Sequence, residues 1–282
     1  DVDIIGRDTL DIAADAECIA VVVDTLGRLG IAPIRVLIGH IALAGELLLD
    51  HGLAESELRS ALAVVDKIST AGERATAEEL TRIGALEASR AASVCRLFSH
   101  RGEPEEFSKL WRPESPRAQN ALAELLTTWS NLLALGVPSS ALQFSPAIVR
   151  GLDYYSGVVF ETKWLGHEEV GSVASGGRYD DLASTFSSVR LPGVGGSIGL
   201  TRLFGAAIAA GLIPEDRRTE SEAFCGYRTL AERPRAIAGA KELRQRGVAV
   251  DLFSGTGAVG RQLTYASKKG LGLAVLAMGP DS

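Results

Sequence analysis

The spacing of apolar residues changes character several times along the chain, and each change marks an element. Residues 1–6 set Val2, Ile4 and Ile5 among acids and read as a short strand. Ile12, Ala16, Ile19, Val23 and Leu26 then recur at helical spacing. They predict a helix from Thr9 to about Leu29, capped by Asp8 and stopped by Gly30 and Pro33. Ile34 to Ile38 predicts a strand. From His40 to about Leu135 the period is helical again, with breaks at 52–54, 72–74, 102–104 and 113–116. Tyr154 to Trp164 is rich in aromatic and β-branched residues and predicts a strand. A second strand is expected at 171–175 and a third at 192–199, followed by a helix from Leu200 to near Gly211. The charged run 214–222 breaks periodicity and reads as a linker. Beyond it, 223–228, 231–246, 248–253, 258–269 and 271–277 alternate strand and helix, implying a small parallel sheet with right-handed crossovers.

The chemistry concentrates between residues 150 and 202. In Arg150-Gly-Leu-Asp-Tyr-Tyr155 and the strand that follows, pleating puts Tyr155, Gly157, Val159 and Glu161 on one face. Tyr154, Ser156, Val158 and Phe160 fall on the other. The second set suits a core. The first mixes a phenol, a gap and a carboxylate, which suits a ligand. Gly151 permits a bend, so Arg150 is either a rim residue or part of a site. Gly176-Gly177-Arg178-Tyr179-Asp180 brings paired glycines, which allow positive φ or close backbone approach, and an Asp pair expected to start a helix. The third strand, 192–199, is almost without side chains and runs into a helix carrying Arg202. Bare backbone beside a cation admits a flat, anionic ligand such as a nucleotide, although this run is neither a P-loop nor a dinucleotide fingerprint. Asp3 is expensive inside a core without a partner. It is either a ligand residue or an edge-strand acid facing water.

These runs together resemble the histidyl-tRNA synthetase family of class II aminoacyl-tRNA synthetases. Arg-Gly-Leu-Asp-Tyr-Tyr at 150–155 is similar to that family's histidine-binding signature, Gly-Gly-Arg-Tyr-Asp at 176–180 to its second signature, and 193–203 to class II motif 3. Residues 1–6 look like the strand that leaves motif 2. Motif 1 and most of motif 2 would therefore precede Asp1, and the family's tail continues past the point matched by Ser282. The resemblance implies an α+β fold. A class II synthetase-like antiparallel sheet with helices and a helical insertion at about 40–135 fills residues 1–212. A linker at 213–222 and a small anticodon-binding-like α/β domain at 223–282 follow. It implies ligation of histidine to tRNA(His) through histidyl-adenylate, with ATP as substrate and Mg²⁺ accompanying it. It puts Arg150 on the α-phosphate and beside the histidine, Asp3 and Tyr155 on the imidazole, and Tyr154 and Tyr179 around the amino acid. Arg202, Gly195, Gly196 and Gly199 would hold ATP. A homodimer is expected of the complete family member. The regulatory subunit of ATP phosphoribosyltransferase shares the catalytic fold and senses histidine without charging tRNA. It lacks the tail domain, so the strand–helix alternation after 222, with Arg150 and Arg202 both present, favours the ligase.

Composition adjusts this picture in three places. Three cysteines (18, 95, 225) and four histidines (40, 51, 100, 167) show no paired spacing, which argues against a disulfide framework or a metal site. The spacing of the cysteines fits a reducing cytoplasm. No apolar run reaches membrane-spanning length, so a soluble protein is expected. The net charge of −6 is unevenly placed. From Glu222 onward nine Lys and Arg stand against five acids, a balance of +4 that leaves −10 on residues 1–221. Local basic surface governs attraction to phosphates, so the tail is the part suited to tRNA. Ser254-Gly-Thr-Gly257 before a helix is either an anion-holding turn or a plain connector.

Overall fold

A computed structural model of the chain describes residues 1–149, 154–182, 189–213 and 219–277. Two compact units divide it, Asp1–Ala207 and Ile208–Ser282. In the first, β1 (Val2–Ile5), β2 (Ile34–His40), β3 (Leu142–Phe144), β4 (Val158–Trp164), β5 (Ser172–Tyr179) and β6 (Gly193–Ile198) form one sheet in the order β1-β6-β5-β4-β2-β3. Every neighbouring pair is antiparallel except β2 and β3. The long helix α1 (Ala13–Arg28) lies on β6, turning Cys18 and Val22 toward Gly196. Between β2 and β3 run α2 (Ile41–Asp50), α3 (Leu58–Val65), α4 (Ile68–Ala71), α5 (Glu73–Arg82), α6 (Ala88–Phe98), α7 (Pro104–Leu110) and α8 (Pro116–Ala134). They break at the four expected glycine and proline positions and at two that were not expected, 66–67 and 83–87. Phe98 and Phe107 are fully buried there, and Trp111 and Trp129 nearly so, as core packing of the aromatic positions requires. The helix α9 (Leu200–Ala209) follows β6.

The second unit holds β7 (Ala223–Tyr227), α10 (Arg233–Gln245), β8 (Val250–Leu252), α11 (Val259–Lys268) and β9 (Leu273–Ala277). Its sheet is wholly parallel, in the order β8-β7-β9. Ala223, Cys225, Ala240 and Val250 make its small core, with Leu243, Val248 and Leu252 packed against them.

Four expectations change. The helix expected from Thr9 begins at Ala13, because Asp8 sits in the left-handed region (φ 65°) and cannot cap it. Asp11 instead accepts from the Ala13 amide at 2.8 Å. The strand expected from Tyr154 starts at Val158, so pleating does not govern the tyrosines. Tyr154, expected on the core face, is exposed. The strand expected at 171–175 continues through Tyr179, with Gly176 and Gly177 paired in the ladder rather than at positive φ. β2 runs two residues further than expected, to His40. Most of the helix expected to start at Asp180 and Asp181 falls on 183–188, which with the first half of the linker, 214–218, lies outside the described residues.

Those glycines permit close backbone approach. A Cβ on Gly176 would stand 2.0 Å from the Gly195 carbonyl oxygen and 2.7 Å from the Gly196 Cα. At Gly199 the nearest neighbours of an added Cβ are 3.5 Å and 3.9 Å away, an ordinary contact. Gly176→Ala is therefore expected to lower stability by about 1–3 kcal/mol through overpacking. Gly199→Ala, on an exposed position, should stay within about 0.5 kcal/mol of the parent. Urea denaturation of both variants checks this, and equal losses would mean that the strands can spread.

Candidate active site

The antiparallel register brings distant residues together. Asp3 on β1 stands opposite Gly195 on β6, and Tyr179 on β5 stands opposite Gly193. Neither glycine has a side chain, so the Asp3 carboxylate and the Tyr179 ring lie across β6 and meet. A Cβ on Gly195 would fall 1.9 Å from Asp3 Oδ1, and one on Gly193 would fall 2.3 Å from the Tyr179 ring. Tyr179 Oη donates to Asp3 Oδ1 at 2.6 Å. Burial, followed by this bond and the charge on Asp3, pushes the Tyr179 phenol well above its usual range. It therefore stays protonated and acts as a donor.

Tyr154 and Tyr155 arrive from the irregular stretch before β4. Their rings are 4.5 Å apart and their hydroxyls 3.4 Å apart, and Tyr154 meets the Tyr179 ring edge-on at 6.3 Å. Asp3, Tyr154, Tyr155 and Tyr179 wall a cavity of about 210 Å³ whose floor is Gly195 and Gly196. An acceptor carboxylate, phenols able to give or take a hydrogen bond, and bare peptide suit a small ligand with both polar and flat parts.

Six of the nine residues picked out in the sequence thus share one cavity. Arg150 lies outside the described residues. Gly199 and Arg202 are not on the cavity wall. Gly199 opens α9, its carbonyl accepting from Leu203, and Arg202 Nη1 donates to the Ser172 carbonyl at 2.8 Å. The sequence reading missed Asp1, Ser175, Leu182 and Ser197, which also line the cavity. The period-2 rule finds Ser175 and Ser197, two residues from Gly177 and Gly195 on the same strand faces; Asp1 and Leu182 lie just outside β1 and β5, where alternation gives no signal.

The opposite face of β5 carries Arg178. Its Nε donates to both oxygens of Asp15 at 3.1 Å, Nη1 to the Leu10 carbonyl at 3.2 Å and Nη2 to the Asp11 carbonyl at 3.0 Å. Asp15 is completely buried. Burial pushes its carboxyl up to about 7, against the pull of Arg178 and with help from the charges of Glu124 and Asp180. Beside it, Cys18 is pushed up to about 12 by burial and by Asp3 and Asp15, so it is an inert core thiol.

A larger groove of about 620 Å³ lies between α5 and α6 and contains none of these residues. Its floor is small apolar side chains such as Ala77, Ala88 and Ala92, and its rim charges pair with their own neighbours, Arg74 with Glu78 and Arg82 with Glu79. The small cavity over β6 is where six of the nine residues picked out in the sequence converge, while a groove of about 520 Å³ on the other face gathers His40, Glu124, Arg178 and Asp180.

The family model for histidyl-tRNA synthetase matches residues 2–203, the whole of the large sheet and its helical insertion. The chain belongs to the histidyl-tRNA synthetase family. It is 36% identical over 286 residues to the histidine–tRNA ligase of Xanthomonas axonopodis pv. citri (strain 306), covering 98% of this chain and 60% of that protein. The ligase of Stenotrophomonas maltophilia (strain K279a) is 34% identical, with 98% and 62% covered. The chain thus spans about three fifths of the length of these curated relatives. Among solved structures, histidyl-tRNA synthetase from Nostoc sp. PCC 7120 superposes with a TM-score of 0.74 at 28% identity, covering 95% of this chain and 64% of that one. A Bacillus halodurans protein described as an ATP phosphoribosyltransferase regulatory subunit/histidyl-tRNA synthetase gives 0.66 at 25% identity, with 98% and 67% covered. The class II synthetase-like α+β fold with a separate small sheet unit is thereby established for this member of the family.

The buried acid behind the site has a measurable signature. A carboxyl whose folded pKa is raised binds protons more tightly in the folded state, so its contribution to stability falls as pH rises from the unfolded value toward 7. Asp15→Asn removes that titration. Its stability relative to the parent is expected to improve between pH 5 and pH 7.5, measured by urea denaturation at both. A relative stability that stays flat over this window would mean that Arg178 holds Asp15 ionised throughout.

Proposed function

We propose that the complete protein is a histidine–tRNA ligase, joining histidine to ATP as histidyl-adenylate and passing the histidyl group to tRNA(His). The observation that carries this reading is the meeting of Asp3, Tyr155 and Tyr179 at one cavity in a chain of this family. An imidazole offers one N–H and one lone pair. Asp3 can accept the first through Oδ2, which has no protein partner among the described residues, and Tyr155 can serve the second. Sites that hydrogen-bond both ends of a ligand reject isosteres lacking those groups far better than apolar pockets do.

The reaction needs no covalent nucleophile on the protein. The histidine carboxylate attacks the α-phosphate of ATP and pyrophosphate leaves. A ribose hydroxyl of tRNA then takes the histidyl group and AMP departs. The chain aligns the carboxylate and stabilises charge growing on the phosphate. Arg150, always charged and able to fork onto two oxygens, takes that role, while Arg202 and Gly195, Gly196 and Gly199 bind ATP. ATP brings Mg²⁺. Among the described residues no three His, Cys, Asp or Glu side chains gather to hold an ion, so no step is routed through one. The parallel three-stranded unit over 223–277, with its basic balance, is read as the anticodon-binding part. It also favours the ligase over a histidine-sensing paralogue.

In the complete protein, histidine-dependent exchange of pyrophosphate into ATP is expected. Equal exchange with other amino acids, or none, would overturn the assignment. Arg150→Ala should slow exchange roughly 10²–10³-fold, with Arg150→Lys recovering part. Tyr155→Phe should raise the KM for histidine and leave that for ATP nearly unchanged. Removing residues from 223 onward should weaken tRNA charging far more than exchange, and equal losses would make the tail a structural support.

A further inference from the structure

We infer that Arg178 is a positioning residue for the amino-acid cavity, fixing from the covered face of the sheet the three chain segments that carry Asp3, Tyr155 and Tyr179. The inference rests on the ligase reading above. Arg178 precedes Tyr179 on β5, so pleating sends its side chain to the opposite face, where it is nearly buried and lines not this cavity but a separate groove with His40, Glu124 and Asp180.

Its three anchoring groups run in different directions. The guanidinium holds the link between β1 and α1, through the carbonyls of Leu10 and Asp11 and the Asp15 carboxylate. That link sets how far β1, and with it Asp3, can slide along β6. The alkyl stem lies against Gly157, where a Cβ would stand 2.8 Å from Arg178 Cδ. The Arg178 carbonyl accepts from the Ser156 amide at 2.9 Å. Ser156 Oγ in turn donates to Asp180 Oδ2 at 2.6 Å and accepts from the Asp180 amide at 3.1 Å. The stretch immediately after Tyr154 and Tyr155 is thereby tied to both neighbours of Tyr179. Because no ladder holds that stretch until Val158, these contacts decide where the two tyrosines stand. The third segment is β5 itself. Lysine could not replace this residue, since the three donors of an ammonium radiate from one nitrogen and cannot span the separated acceptors that Nε, Nη1 and Nη2 reach.

The test uses the complete protein. In Arg178→Lys the KM for histidine is expected to rise about tenfold or more, the effect of losing roughly one ligand hydrogen bond, with the KM for ATP within about twofold. Ser156→Ala, a milder cut in the same network, should raise the histidine KM about threefold and covers the case in which Arg178→Lys does not fold. Leu80→Ala, buried in α5 away from the cavity, serves as the control for general destabilisation and should leave both constants within about twofold. A crystal structure of Arg178→Lys should show Tyr179 Oη beyond hydrogen-bond reach of Asp3. An unchanged histidine KM, or equal rises for histidine and ATP, overturns the inference. If the parent protein shows no histidine-dependent exchange, the ligase reading fails. Arg178 is then judged on the crystal structure, and Tyr179 still seated on Asp3 in Arg178→Lys overturns its positioning role.

Discussion

At Gly176 the backbones of β5 and β6 leave no room for a Cβ, and the site depends on that close approach. Because the strands carry almost nothing at their centre, groups from neighbouring strands occupy the space instead. On one face these are the Asp3 carboxylate and the Tyr179 ring, seated over Gly195 and Gly193. On the other, Phe160, Val22 and Cys18 close against Gly196 and make the core under α1. A polar cavity and an apolar core are thus separated by the thickness of one peptide plane. The shape of the cavity is set by residues whose contribution is the absence of a side chain.

A sheet floor without side chains holds its register through backbone hydrogen bonds alone. A further restraint is offered by the buried pair behind it. Arg178 spends its donors on backbone carbonyls and on Asp15, whose two oxygens share the single Nε–H. That sharing leaves the carboxylate under-solvated, so burial outweighs attraction and its pKa rises rather than falls. Such a pair adds little net stability, but it tolerates few alternative geometries, because a displaced partner leaves a charge unpaired in the interior. The electrostatics here serve placement more than adhesion.

The two units solve different problems with different sheets. The six-stranded sheet is antiparallel over nearly its whole width, keeping one face open for a ligand while helices cover the other. The three-stranded sheet is parallel, and its crossovers are helices that pack against it. The division of charge follows the same line: the acidic excess lies before residue 222 and the basic balance after it.

Much of this was legible in the residues. Hydrophobic period placed most strands and helices to within a few positions, because burial of one face is a local property of spacing, but it missed the three-residue β3, which is too short to show a period. The spaced runs at 150–155, 176–180 and 193–203 were enough to indicate the family, since they combine residue types with bends that few other sites need. Where the reading went astray, contacts remote in sequence had the final word. α1 starts four residues late because Asp8 turns left-handed, and the Leu10 and Asp11 carbonyls in the extra turn accept from Arg178, more than 160 positions away. Tyr154 leaves its expected face because no ladder holds the chain before Val158. The pairing of Tyr179 with Asp3 spans 176 positions and follows from the register of β1, β6 and β5. Period and composition specify which face a side chain takes within its own strand. Only hydrogen-bonded register between strands specifies which side chain it then meets.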